Sequence, residues 1–114
     1  MDERSDRELL ELAARAAGAE YEWDEDHVEL VTPIGGATGY WNPLTDDGDA
    51  LRLAVKLRLE IAPLQDGCVE VRQWFDGRER CCILEGSGDH AADTRRAIVR
   101  AAASIGAAMK EGKE

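Results

Sequence analysis

The sequence contains few of the residues that most often carry out chemistry. Its 114 residues include two histidines, three cysteines and, among the aromatic residues, three Trp, two Tyr and one Phe. No stretch approaches the roughly 18 apolar residues of a membrane-spanning helix, so we expect no membrane association. The amino-terminal segment MDERSDREL lacks the apolar core of a secretory signal. We therefore expect one cytoplasmic domain that spans residues 1–114.

The three cysteines do not form a pattern that is typical of disulfides or of a metal site. Cys81 and Cys82 are adjacent, so a bond between them would be strained, and Cys68 stands alone. The sequence has no Cys-x-x-Cys or Cys/His spacing of the kind that binds zinc. We predict reduced thiols, with Cys81 buried and inert, and we predict no metal and no cofactor.

Positive charge is also scarce in this chain. Fourteen basic residues face 24 acidic ones, which gives a formal net charge of −10 at pH 7. Proteins that bind nucleic acid usually carry a basic patch, so we expect no direct binding of DNA or RNA. Two interpretations stay open. The charge serves solubility alone, or it serves the binding of a basic partner, such as a nucleic-acid-binding protein.

Hydrophobic periodicity and turn residues predict an α+β fold. Ser5 and Glu8 form a capping box, and apolar residues then recur at helical spacing until Gly18. Alternating apolar residues predict strands at 19–24 and 27–32, and a glycine-containing loop follows at 33–39. The complete prediction is a mainly antiparallel sheet of about five strands packed against three helices, in the order α-β-β-α-β-β-β-α.

The Asp76-Gly77 step predicts a β-hairpin with a two-residue turn between two strand-like segments. In the predicted register, Phe75 faces Arg78. Four residues then point to the same side of the sheet: Val69, Val71, Cys82 and Leu84. The other side is predicted to be mixed, with Glu70, Arg72, Cys81 and Ile83.

The last helix is predicted to begin after Asp89 and to end near Met109. Its predicted apolar stripe is rich in small side chains and consists of Ala91, Ile98, Ala102, Ile105 and Met109. Small side chains allow a helix to lie close to a sheet or to another helix.

A run of aspartates marks the start of the second helix. Thr45 is the predicted N-cap residue, and Asp46, Asp47 and Asp49 lie in the first turn, where the partial positive charge of the helix start favours carboxylates. The same acids could suggest a calcium loop. However, the twelfth position counted from Asp47 is Arg58, where an EF-hand needs glutamate. Capping is therefore the favoured interpretation.

Two segments carry a resemblance to a known family. The first is WNPLTDDGDALRL at residues 41–53, and the second is DRELLELA at residues 6–13, followed by Ala17-Gly18. Together they resemble the phage ABA sandwich domain, a family of small bacteriophage and prophage proteins. The resemblance implies a sheet between helical layers and a location in the cytoplasm of a host bacterial cell. It implies no catalytic residues, because the family is functionally uncharacterised.

The sequence contains no recognisable catalytic set. We predict that His27 and His90 are surface residues, because no nucleophile motif lies near either. We predict that Trp23, Trp41 and Trp74 pack in the core and do not stack on nucleic-acid bases. The protein is therefore predicted not to be an enzyme.

Two functional hypotheses remain. The first is a phage or prophage protein that binds a protein partner and inhibits, for example, a host defence complex of the CRISPR type through an acidic face. Its candidate binding residues are Asp24, Glu25 and Asp26 in the first hairpin, Asp46, Asp47 and Asp49 at the helix start, and Trp41 as an anchor if it is exposed. The second is a phage accessory or assembly protein that acts by self-association through its alanine-rich last helix. Monomer and homodimer both stay open.

Overall fold

The computed structural model describes residues 4–35 and 38–110. The helices are α1 (Asp6–Ala16), α2 (Asp47–Leu57) and α3 (His90–Lys110). The strands are β1 (Glu22–Asp24), β2 (Glu29–Val31), β3 (Tyr40–Trp41), β4 (Leu59–Pro63), β5 (Val69–Phe75) and β6 (Arg78–Glu85). The α+β class is confirmed. However, the described residues form six strands in two antiparallel sheets, β1-β2-β3 and β4-β5-β6, where about five strands in one sheet were predicted.

The additional strand is β3. Tyr40 pairs with Val31 and Trp41 pairs with Leu30, so the chain returns beside β2 and completes the first sheet. A strand of two residues is too short to show an alternating pattern. The sequence therefore predicted only that the chain returns to the core at this point.

Helix α1 begins and ends as predicted. Ser5 Oγ accepts a hydrogen bond from the Glu8 N–H at 3.1 Å, and the Glu8 carboxylate accepts one from the Ser5 N–H at 3.1 Å. After the helix, Gly18 has a φ of +74°, and the Ala19 N–H donates to Ala14 O at 3.0 Å. These contacts form a Schellman motif. The motif holds Ala19 at the helix end, so β1 starts at Glu22 and not at residue 19 as predicted.

Helix α3 lies between α1 and the second sheet. It packs against α1, α2, β5 and β6, whereas direct contacts between α1 and the second sheet are few. The alanines and valine of its middle have no exposed surface: Ala97, Val99, Ala101, Ala102 and Ala103. The predicted stripe was therefore too narrow, and Ala91, which belonged to it, is exposed. The order of layers also differs from the sheet between helices that the family resemblance implied.

The hairpin of β5 and β6 has the predicted turn. Asp76 and Gly77 both have positive φ, at 56° and 77°, and Phe75 pairs with Arg78. These two residues are therefore the turn residues of a two-residue β-hairpin, as the Asp-Gly step indicated.

A β-bulge makes the predicted register wrong beyond the turn. Trp74 pairs with Glu79, but the next residue of β5, Gln73, pairs with Cys81. Arg80 is therefore an extra residue on β6. Nothing in the alternation of apolar residues indicated this insertion.

The bulge reverses which residues of β6 face the core. Two of the four predicted inward residues, Val69 and Val71, are buried, but Cys82 and Leu84 are exposed, and Cys81 and Ile83 pack against the core in their place. One inserted residue has this effect because consecutive side chains on a strand point to opposite faces.

Candidate binding surfaces

The helix-start cluster, Asp46, Asp47 and Asp49, begins α2. Asp46 is the N-cap residue, because its Oδ2 accepts a hydrogen bond from the Asp49 N–H at 2.8 Å. The prediction of Thr45 as the N-cap is wrong. Its hydroxyl donates to Asn42 O at 3.4 Å, and the same carbonyl accepts the N–H groups of Thr45 and Asp46 in a turn before the helix.

The other two aspartates of the helix-start cluster are bound within the chain. Asp49 is only 6 % exposed, and its carboxylate accepts hydrogen bonds from the Asn42 N–H at 2.9 Å and from Arg52 at 2.7 Å. Asp47 pairs with Arg95 of α3 at 2.7 Å. The structural interpretation is therefore confirmed for Asp46, which caps the helix, and for Asp49, which is buried, whereas Asp47 forms its ion pair at the surface and is 82 % exposed.

Trp41 lies in the core and does not form part of a surface. Its side chain is 1 % exposed and belongs to the same buried cluster as Leu30 and Leu53. It therefore cannot anchor a macromolecular partner. The prediction that all three tryptophans are core residues is correct for Trp41 and in part for Trp23, which is half-buried and packs against the core, whereas Trp74 is exposed.

The hairpin-tip cluster, Asp24, Glu25 and Asp26, follows β1. Asp24 Oδ1 accepts hydrogen bonds from the N–H groups of Asp26 at 3.0 Å and His27 at 3.3 Å, which fixes the turn. Its Oδ2 lies 3.0 Å from His27 Nδ1 and accepts a hydrogen bond from the Tyr40 hydroxyl at 2.8 Å. Glu25 and Asp26 are the exposed members of this cluster.

The contact of Asp24 with Tyr40 shifts two pKa values. The hydrogen bond from the hydroxyl lowers the pKa of Asp24, and the same bond to a carboxylate raises the pKa of Tyr40. Tyr40 therefore stays a donor and holds the turn against β3. The prediction of His27 as a surface residue is confirmed. The network with Tyr40 was missed because the sequence did not predict β3.

Val28 is an unusual residue at the same hairpin tip. It has a φ of 54° and is 70 % exposed. A β-branched residue in the left-handed region is strained, and here its apolar side chain faces solvent. The tip therefore presents an apolar group next to the two exposed carboxylates.

The second sheet has one face on the core and one face in solvent. Cross-strand pairing and strand alternation place these residues on the exposed side: Glu60, Ala62, Glu70, Arg72, Trp74, Glu79, Cys82 and Leu84. We call this side the outer face. Trp74 is 48 % exposed and Leu84 is 56 % exposed. Two large apolar side chains on this face thus lie open to solvent.

The charged groups of the outer face hold one another in position. Arg72 donates to Glu70 at 2.6 Å and lies 3.7 Å from the Glu79 carboxylate. Trp74 Nε1–H donates to Glu60 at 3.0 Å. Among the cross-strand paired residues of this face, three carboxylates therefore accompany the guanidinium of Arg72 and the indole of Trp74, so that carboxylates outnumber the cation. Sequence reasoning missed this surface because it assigned Trp74 and Leu84 to the core.

The cysteines of the second sheet are poor nucleophiles. Partial desolvation by neighbouring side chains raises the pKa of Cys81 and of Cys82, and a hydrogen bond from Cys82 Sγ to Glu70 at 3.4 Å raises the pKa of Cys82 further. A raised pKa leaves little thiolate at neutral pH. Cys68, Cys81 and Cys82 are free thiols, as predicted. However, Cys81 is only partly buried and Cys82 is exposed.

Within residues 4–35 and 38–110, no three His, Cys, Asp or Glu side chains lie together in a way that could hold a metal ion. No helix in this part of the chain is long and apolar enough to cross a membrane. Comparisons with known protein families, curated proteins and solved structures found no match. The resemblance to the phage ABA sandwich domain therefore stays a prediction.

Proposed function

We propose that this protein acts by binding a basic protein partner through the outer face of the second sheet. One observation carries the proposal: Trp74 and Leu84 are exposed on the same sheet face as the carboxylates of Glu60, Glu70 and Glu79. Exposed aromatic residues contribute much of the binding energy at many protein interfaces. Surrounding charges of one sign select a partner of the opposite sign and accelerate association.

A cationic side chain of the partner suits the chemistry around Trp74. An Arg or Lys above the indole would gain a cation–π interaction of about 0.5–2 kcal/mol. The same cation would lie near the Glu60 carboxylate, which accepts the hydrogen bond of the indole at 3.0 Å. Because the sheet already fixes these groups, binding would cost little side-chain entropy.

The two clusters that the sequence suggested support binding less well. In the helix-start cluster, Asp49 is buried against Asn42 and Arg52, and the exposed Asp46 and Asp47 are engaged as the N-cap and in an ion pair with Arg95. The hairpin tip keeps Glu25 and Asp26 exposed and is therefore the rival surface in the experiment below.

The biological setting of the proposal comes from the family resemblance and from the charge. We propose a phage or prophage protein in the host cytoplasm that inhibits a nucleic-acid-binding complex, with host defence complexes of the CRISPR type as the first candidates. The net charge of −10 supports this setting, because an acidic surface can occupy a basic site that binds phosphates. The proposal assigns no catalytic activity to the protein.

Self-association through the last helix receives no such support. The small residues that motivated it, among them Ala97, Ala101 and Ala102, have no exposed surface and are covered by the fold itself. A second copy could not reach them without unfolding this packing.

The experiment compares capture of nucleic-acid-processing and defence complexes by matched variants at low and moderate salt. The first variant combines Glu60→Gln, Glu70→Gln and Glu79→Gln. The control removes the same number of charges elsewhere, through Glu20→Gln, Glu25→Gln and Asp26→Asn. A third variant is Trp74→Ala. Circular dichroism confirms that each variant is folded.

We expect the outer-face variant and Trp74→Ala to lose capture, and the control to retain it. Capture by the parent should weaken with salt, since exposed charges are screened over about 8 Å at physiological ionic strength. Loss of capture in the control variant alone would assign binding to the hairpin tip. The absence of any partner, together with an oligomeric mass by light scattering, would favour the assembly hypothesis.

A further inference from the structure

A small cavity opens beside α2, on a part of the molecule that the proposed function does not use. Its volume is about 250 Å³, and its lining consists of Ala17, Ile34, Trp41, Arg52, Leu53 and Lys56. Trp41 and Leu53 are almost completely buried and lie at the base of the cavity, whereas the apolar surface open to a ligand belongs to Ile34 and to the alkyl chains of Arg52 and Lys56. An apolar cavity of about 150 Å³ can hold benzene, so this space is large enough for an aromatic ring with a short substituent.

The polar groups of the cavity are both cationic. Arg52 and Lys56 are four residues apart on α2 and therefore lie on one side of the helix. Arg52 donates to Asp49 at 2.7 Å, but a guanidinium has further donors. No acidic side chain belongs to the described lining. Because Arg52 is already paired with Asp49, the Lys56 ammonium supplies most of the positive charge that a ligand in the cavity would meet.

We infer that this cavity binds a small organic carboxylate with an apolar body about the size of an aromatic ring. The apolar body would lie against Ile34 and the alkyl chains of Arg52 and Lys56, above the buried Trp41 and Leu53. The carboxylate would pair with the Lys56 ammonium and lie within reach of Arg52, as charge-assisted hydrogen bonds require. The volume is below the roughly 300 Å³ at which pockets for drug-sized ligands begin, so nucleotides and larger cofactors do not fit.

The test is a titration of the isotope-labelled full chain, followed by NMR. The probes are phenylacetate and its neutral counterpart phenylacetamide. We expect phenylacetate to shift the Trp41 indole and Leu53 methyl signals until they saturate, and we expect the amide to bind at least about fivefold more weakly. Lys56→Met should weaken phenylacetate binding by about the same factor, and Lys56→Arg should restore it because it keeps the charge.

Two kinds of result in this titration would contradict the inference. Equal affinity for the amide and the carboxylate, or unchanged binding to Lys56→Met, would show that the cations do not select the ligand. Shifts that map outside the cavity, or no saturable shifts at all, would show that the cavity is not the site. The spectra of the variants themselves show whether each one is folded.

Discussion

Single carboxylates in this chain have very different environments, although they look alike in the sequence. Asp46 caps a helix, and Asp49 is buried between a backbone N–H and an arginine. Glu60 and Glu70 lie on the exposed side of a sheet. A run of acids in a sequence therefore indicates a surface only after the partner of each carboxylate is known.

The first prediction concerns the N-cap of α2. Asp46→Ala should lower the free energy of unfolding by about 1 kcal/mol, because the Asp49 N–H loses its acceptor. Thr45→Ala is the matched control and should have a clearly smaller effect, since its hydroxyl makes only a long bond to Asn42 O. Chemical denaturation measures both. A larger loss of stability in Thr45→Ala than in Asp46→Ala would indicate that Thr45 is the N-cap residue.

The second prediction concerns Asp93 and pH. Its carboxylate accepts hydrogen bonds from the Ser87 hydroxyl at 2.6 Å and from the Ser87 and Gly88 N–H groups at 2.9 and 3.3 Å. The Ser87 bonds lower the pKa of Asp93. The ionised form therefore stabilises the fold above about pH 4, and this contribution is lost as the pH falls through the folded pKa.

Asp93→Asn should therefore be less stable than the parent at neutral pH, with a difference that shrinks on acidification. Urea denaturation between neutral pH and about pH 3 measures this difference. A constant difference across that range would mean that the charge of Asp93 does not contribute.

At the scale of elements, the turn of the second hairpin depends on backbone conformation alone. Gly77 has a φ of +77°, and a Cβ at this position would meet no other atom. Gly77→Val should cost about 1–2 kcal/mol, because β-branched residues resist this conformation. Gly77→Asn should cost less, since asparagine tolerates it. Equal midpoints for the two variants in urea would argue against the assigned turn.

At Gly106 of α3, in contrast, neighbouring atoms determine how an added side chain changes the stability. A Cβ at Gly106 would collide with the carbonyl oxygen of Leu12 in α1. Glycine to alanine in an exposed helix stabilises by up to about 1 kcal/mol, but here we expect Gly106→Ala to destabilise by about 1–3 kcal/mol. Ser104→Ala, at an exposed position of the same helix, is the control. Thermal or chemical denaturation gives the sign, and a stabilised Gly106 variant would contradict the close packing of α1 and α3.

The predictable elements are those whose signals are local. The capping box at Ser5, the end of α1 at Gly18 and the turn at Asp76-Gly77 depend on residues within a few positions of one another, and all were predicted. The bulge at Arg80 was not predicted, because an inserted residue is specified by pairing with another strand. The same holds for β3, which exists through its pairing with β2.

At the scale of the whole molecule, the burial of α3 decides which surfaces are available. The helix fills the space between α1 and the second sheet, so its small residues serve internal packing. The sheet then has one face on α3 and exposes the other. The acidity of the chain was readable from the sequence, but the location of the outer face was not. The outer face can be located only with the observed register, which places Cys82 and Leu84 on the same side of the sheet as Trp74.

The most direct test of the proposed binding surface is site-specific photo-crosslinking in bacterial cells that contain the candidate defence complexes. A photoreactive phenylalanine derivative replaces Leu84 on the outer face in one variant. In the control it replaces Leu51, which is equally open to solvent on α2. We predict a crosslink from position 84 to a basic protein, lost when Glu60, Glu70 and Glu79 are changed to glutamine, and none from position 51. Crosslinks to that protein from position 51 alone, or crosslinks from position 84 only to a second copy of this chain, would contradict the proposal.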